Sequence, residues 1–508
     1  MLNNRFIRMI ALVCAIALCG SAPAAAQSGF EDDRVMLQGF YWESYRHGYP
    51  DKFPTFGKQK WYEIVRQLAP VIRDGRFDLI WLPPPSYAGG ESAGYNPKEY
   101  FRLDNSYGSF NQHEAMLKAL LESGVEPVAD IVINHRDGVG GWADFKNPDW
   151  GTWAICRTDE AFQDAPSGLT NTPDSEKGDC EERPDYVTHS GTTYQYESFR
   201  DIAHVDLRVR RDIVRYLRQL QSLGYRGWRY DMVHGYLAKW IALYNDKTKP
   251  TFSVGEYDWA RHEDQRGWIW NTATNAAATG AEHLKTSSDV FDFSTQFALK
   301  EFRGWNYGAL YGSGDGIGMV GDTTDNLPWK NRAVTFLENH DTGYRTNPDG
   351  TPEKGHESDN FANNWQVEQG YAHILTHPGV PSVYWKHYFD WGSDLQNKIK
   401  ALVNARKVAG VHAASDLQLQ QNARANGVYA ARIDGHNGEL YVRIGGSDRE
   451  WQPSMSNYTD YREYAQGAGW KVWVKLAGNP AFREAGRNES LPVPKYKPPK
   501  QIGVSDVQ

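Results

Sequence analysis

At 508 residues the chain could hold two to four domains, although a single α/β barrel would absorb well over half of that length. A hydrophobic share of 40% and a charged share of 23% describe a globular protein able to bury a core, which excludes a disordered or fibrous chain. The formal charge of −8, with acids and bases interspersed, gives no basis for a nucleic-acid partner.

Residues 1–26 read as a cleavable secretory signal, with basic Arg5 and Arg8, an apolar run from Met9 to Leu18 and small residues ending at Ala26. That run is too short to anchor the chain stably in a bilayer. Secretion to an extracellular or periplasmic space is therefore expected, with no membrane association afterwards. Cys19 raises a lipoprotein alternative, opposed by the bulk of Leu18 directly before it. Cleavage removes Cys14 and Cys19 and leaves Cys156 and Cys180. In an oxidising compartment such a pair usually forms a disulfide, and the polar sequence around both is a poor place to bury thiols; two free thiols are the alternative.

Eight apolar runs bounded by turn residues follow, at 35–42, 77–83, 125–134, 225–231, 251–256, 290–293, 333–338 and 380–385. They read as buried strands separated mostly by helical patterns such as 110–124 and 209–224, which predicts an α/β fold built on a (β/α)8 TIM barrel. The alternation breaks twice. Residues 135–199 are rich in Gly, Pro, Asp and Trp and too long for a connection inside a compact domain, so they read as an insertion after the third strand. The barrel is then expected over 27–134 and 200–411. Short alternating strands follow in 412–476, a small C-terminal antiparallel β domain. Residues 477–508 are rich in Pro and Lys and poor in apolar residues, and read as a disordered tail.

Three carboxylates stand at the ends of apolar runs: Asp231 closes GWRYD, Glu256 closes FSVGE and Asp341 closes VTFLENHD. The spacing of Asp231 and Glu256 suits one strand, a crossover helix and the next parallel strand. Carboxylates at C-terminal strand ends point into the mouth of a barrel, an arrangement that suits glycoside cleavage. Arg229, two residues before Asp231, shares its strand face and is expected to favour the Asp231 anion.

The segment DIVINH, Asp130 to His135, precedes these three. The four in this order resemble the signature regions of the α-amylase family of glycoside hydrolases. Stretches 34–44, 80–86, 94–100, 290–294 and 370–392 are similar to plant-type and maltooligosaccharide-forming bacterial members, and the likeness runs over most of 34–435.

The resemblance implies retaining cleavage of α-1,4-glucosidic bonds in starch and related glucans. Asp231 would be the nucleophile, Glu256 the general acid, and Asp341 a third acid that accepts hydrogen bonds from sugar hydroxyls. Glu256 must begin protonated, which nearby anions favour. His135 and His340 match histidines that bind the sugar beside the cut bond, and Tyr95 matches its stacking platform. His234 stands where many relatives carry Lys, and its shorter reach and fewer donors bear on product pattern. Nineteen Trp and 29 Tyr fit sugar stacking, although core packing explains most of them.

The resemblance also implies a calcium ion between insertion and barrel, held by Asn134, Asp201 and the main chain of Gly235. Glu181 and Asp185 are either further ligands or a solvated acidic loop. Hard oxygen donors suit Ca2+, and no Cys or His set for zinc is present. Two alternatives are an α-glucan transglycosylase of the same fold and a non-catalytic glucan-binding relative; the presence of all three acids opposes the second. A monomer is expected.

Overall fold

The computed structural model describes residues 30–476, leaving out 157–185, 190–191, 196–198, 259–260, 301–305, 352, 354–360, 362, 447–449 and 454–460. The expected signal (1–26), the expected tail (477–508), Cys180, Glu181 and Asp185 lie outside the described residues.

Eight parallel strands close into a barrel. They are β1 (Met36–Gln38), β2 (Leu79–Leu82), β3 (Glu126–Ile131), β4 (Gly227–Tyr230), β5 (Phe252–Gly255), β6 (Asp289–Phe291), β7 (Ala333–Phe336) and β8 (Val380–Tyr384). Each pairs with its successor, and β8 returns to β1 with Ser382 opposite Met36. Seven of the eight expected runs contain one of these strands, and the run 290–293 overlaps β6, which begins one residue earlier at Asp289. They were legible because a strand packed between barrel interior and helices is buried on both faces and carries a continuous apolar run.

The outer helices include α1 (Trp61–Asp74), α2 (Phe110–Glu122), α3 (Leu207–Leu223), α4 (Ala238–Thr248) and α5 (His262–Asn271). Helix α2 opens with a capping box in which Ser109 and Gln112 each accept from the other's backbone N–H. In α3 the cap is Asp206, which accepts from the Arg208 N–H at 2.7 Å, and Val209, Ile213, Tyr216, Leu217 and Leu220 form the buried stripe.

Between β3 and α3, a two-residue ladder pairs His135 with Asp201 and Arg136 with Arg200. A second antiparallel pair joins Tyr186–His189 to Thr192–Gln195. Cys156 is buried, and its N–H donates to the Asp201 carbonyl at 2.8 Å.

The C-terminal sheet contains β9 (Asp416–Leu419), β10 (Tyr429–Gly435), β11 (Gly438–Ile444), β12 (Tyr461–Gly467) and β13 (Trp470–Leu476), in the order β9-β10-β11-β13-β12. It docks on α6 (Asn364–Ile374) and α7 (Ser393–Ala409) through buried Glu368, which accepts from the Trp470 indole at 3.1 Å and pairs with Lys398 at 2.7 Å. Strand β12 does not stand out in the sequence. Its segment YREYAQG lies at the sheet edge, bulges between Glu463 and Ala465 and has no fully buried residue, so neither face imposes an apolar alternation.

Candidate active site

Asp231 and Glu256 each follow directly on the last residue of β4 and β5, where Tyr230 pairs with Gly255. The Asp231 N–H donates to the Ile131 carbonyl at 3.1 Å, and the Glu256 N–H to the Tyr230 carbonyl at 2.9 Å. The barrel ladder thus continues one step and fixes both side chains at its mouth. Gly255 is required here, because a Cβ would lie 2.3 Å from the ring of buried Trp268. Met232, directly after Asp231, takes a left-handed conformation (φ 42°) and turns its N–H towards Glu256 Oε2 at 3.3 Å. A non-glycine residue held in that region carries strain that the surrounding turn must offset.

Arg229 organises the cluster. Its guanidinium is fully buried and reaches Asp130 at 2.8 Å, Asp231 at 2.6 Å and Glu256 at 2.7 Å. Asp130 also accepts from the Tyr95 hydroxyl at 2.7 Å and the Trp81 indole at 3.0 Å. One guanidinium cannot neutralise three buried carboxylates, so the cluster keeps protons well above the usual carboxylate range. Burial pushes Asp231 up to about 7 against the opposing pull of Arg229, and pushes Glu256 well above its ordinary value with Asp231 and Asp341 adding to the rise. Arg229 therefore acts in the expected direction on Asp231, but desolvation outweighs it. Glu256 is the group better suited to hold a proton.

Asp341 sits on a turn after β7, which the Asn339 side chain closes by accepting from the N–H groups of Asp341 and Thr342, both at 2.9 Å. It is the most exposed of the three acids, with its side chain 43% accessible, and it lies 3.1 Å from His340 Nε2 and 3.3 Å from Arg345. Burial holds His340 neutral by lowering its pKa to about 3. Gln38 donates its amide N–H to Nδ1 at 2.9 Å, so Nε2 carries the proton on the side of the ring near Asp341. Tyr95 and Trp42 both stack near-parallel on the His340 ring, with centroids 5.0 and 6.1 Å away.

The remaining expected residues distribute unevenly. His135 is buried, bonds the Tyr95 carbonyl at 2.7 Å and stacks on Phe199. His234 lies in the short turn Val233–Gly235 and meets Asp258 at 3.0 Å. Asn134 and Asp201, both buried, approach to 3.3 Å. An amide and a carboxylate side by side supply oxygen donors of the kind calcium takes, although that ion needs six to eight. Gly235 is buried in the His234 turn, and its N–H donates to Met232. Among the described residues no three His, Cys, Asp or Glu side chains form a metal cluster.

Sequence reasoning missed Asp130, Trp42 and Arg345. Asp130 carries a usable signal, since an acid inside the apolar strand VADIVI has to be buried with partners. Arg345 lies 4.0 Å over the Trp42 ring while contacting Asp341, and its loop is tied down from below. Fully buried Glu43 accepts from the Thr346 N–H, and Lys386, 3.2 Å from Glu43, donates to the Tyr344 carbonyl. No local pattern connects Glu43, Arg345 and Lys386.

A closed parallel barrel with an acid pair at its C-terminal mouth defines the class of barrel glycosidases. The chain belongs to the α-amylase family of glycoside hydrolases: residues 64–347 match the α-amylase catalytic domain and residues 408–474 the α-amylase C-terminal β-sheet domain. It is similar to a probable α-amylase of Arabidopsis thaliana, 29% identical over 446 residues that cover 87% of this chain and 94% of the relative. It is also similar to the glucan 1,4-α-maltotetraohydrolase of Stutzerimonas stutzeri, 30% identical over 395 residues, 75% of this chain and 63% of that one. Among solved structures, the cyclic α-maltosyl-(1→6)-maltose hydrolase of Arthrobacter globiformis shares the fold, with a TM-score of 0.60, 16% identity and coverage of 88% and 98%.

Proposed function

We propose that this protein is a secreted, retaining hydrolase of α-1,4-glucosidic bonds in starch-like glucans. The observation that carries the reading is the contact of Asp231 and Glu256, from adjacent strand ends, with one guanidinium. This proximity favours the short carboxyl separation of a retaining enzyme over the wider inverting one. Glu256 protonates the leaving oxygen while Asp231 attacks the anomeric carbon from the opposite face, forming a β-linked glycosyl ester. Glu256, now a carboxylate, takes a proton from water, which opens the ester and returns the α configuration. Asp341 and His340 accept and donate hydrogen bonds to the sugar at the cut bond, Tyr95 gives it an apolar face, and His135 and His234 line its two sides.

Around this core we assign residues 27–134 and 200–411 to the barrel, 135–199 to an inserted domain and 412–476 to the C-terminal domain, after removal of 1–26. Calcium held by Asn134, Asp201 and the Gly235 carbonyl, with Asp185 and Glu181 as further donors, would brace the insertion against the cleft wall. Export favours a Cys156–Cys180 disulfide within that insertion.

The test is to digest amylose and follow the first products by proton NMR before mutarotation. The α-anomer should appear first with new reducing ends. Initial β-anomer would refute the nucleophilic role of Asp231, and transfer to added maltose without net reducing-end release would assign a transglycosylase.

A further inference from the structure

Helices α3 and α4 lie side by side outside the barrel, and the seam between them opens into a groove of about 580 Å³ on the outer surface. That volume falls within the range of small-molecule pockets. The floor consists of Leu207, Val214, Trp240 and Leu243. They recur at helical spacing on faces distinct from the buried stripe of α3; Val214, Trp240 and Leu243 are partly buried and pack against the edge of the core, while Leu207 stands clear of it. Leu207 is 70% exposed, the largest value among the exposed large hydrophobic residues.

The rim is cationic, with Arg210, Arg211, Arg215, Arg218 and Lys247 surrounding the floor in a chain whose formal charge is −8. Arg215 and Lys247 pair with Asp212 and Asp246. Among the described residues, Arg210, Arg211 and Arg218 form no ion pair with a carboxylate; Arg210 and Arg218 bond backbone carbonyls instead. Arg210 also lies 4.6 Å over the Trp240 ring, whose indole N–H has no hydrogen-bond partner. Among the described residues that line the groove there is no carboxylate, amide or hydroxyl side chain, and Asp212 and Asp246 meet it only through their pairs with Arg215 and Lys247. A sugar, which needs acceptors as well as donors for its hydroxyls, is poorly served there.

An apolar floor with a rim of guanidinium groups is complementary to a molecule with an apolar tail and an anionic head. We propose that the α3–α4 groove is a binding site for a single-chain anionic amphiphile, a fatty-acid carboxylate of about twelve carbons, with its tail on Leu207, Val214, Trp240 and Leu243 and its head on Arg211 and Arg218. This site is separate from the cleft and does not depend on the reading of Asp231 and Glu256.

The test uses full-length protein and sodium dodecanoate below its micellar concentration, titrated by calorimetry without glucan. Binding at one equivalent per chain is expected, weakened on the order of tenfold or more in Arg211→Glu/Arg218→Glu and for uncharged dodecanol, and weakening with salt. Trp240→Ala should also weaken it. The charge-reversal positions are exposed and remote from the cleft, so unchanged melting and unchanged turnover of short maltooligosaccharides would verify the fold. Absence of one-equivalent binding, or equal affinity in the charge-reversed variant, would overturn the proposal. So would binding to anionic phospholipid vesicles or to an acidic amphipathic peptide while monomeric dodecanoate fails to bind, since either would reassign the groove to a macromolecular surface.

Discussion

Asp231→Asn should make the protein more stable at neutral and alkaline pH while abolishing turnover. In the folded state burial pushes the Asp231 carboxyl from 3.8 up to about 7, even with Arg229 at 2.6 Å. A carboxyl group whose folded pKa lies above its unfolded value binds its proton more tightly when folded. Its contribution to stability is fully present below about pH 4 and is lost as pH rises to about 7. A rise of about three units corresponds to about 4 kcal/mol at one pKa unit per 1.36 kcal/mol. This is an upper bound, because Asp130 and Glu256 share the same guanidinium and redistribute their protons when one member changes. The amide keeps the shape and carries no charge, and Arg229 retains its other two partners. A gain of about 2–4 kcal/mol at pH 8 is therefore expected in urea unfolding, falling towards zero at pH 4. Equal or lower stability of the variant at pH 8, or a difference that does not shrink at pH 4, would refute the account of Asp231 as an anion held against desolvation.

Glu256→Gln should retain glucan binding and lose about 10²- to 10⁴-fold in turnover, the usual worth of general acid–base catalysis, as measured by reducing-end release alongside calorimetric binding. Arg345→Met should raise KM for maltooligosaccharides several-fold with stability within about 1 kcal/mol, because the lost contacts are an ion pair whose Asp341 side stays open to solvent and a cation–π contact with Trp42, and the methionine keeps the apolar stem; unchanged KM would detach Arg345 from the cleft. Lys386→Met leaves Glu43 buried without its cation and should cost about 3–5 kcal/mol in urea unfolding, much of which Lys386→Met/Glu43→Gln recovers; equal stability of the single and double variants would refute that buried pair. Excess chelator should lower both melting temperature and activity, with calcium restoring both; an unchanged melting curve on a verified metal-free sample would remove the Asn134–Asp201 site.

The barrel was legible because each strand is short, buried on both faces and locally apolar, and the acids were legible because they interrupt those runs at the strand ends. The same reasoning failed for edge strand β12, whose polar faces leave no periodic signal. For the site, period-two alternation sufficed to put Arg229 on the face of Asp231, a relation contained within one strand. The sequence could not weigh Arg229 against burial, since the desolvation of Asp231 depends on what the whole barrel mouth excludes. Nor could it connect Asp341 to Arg345 and Trp42, or Glu43 to Lys386 across 343 positions. Local sequence determines which segments become strands and which residues end them. Which charges then share a buried guanidinium, and at what cost, is decided only when barrel closure brings distant strand ends into one low-dielectric volume.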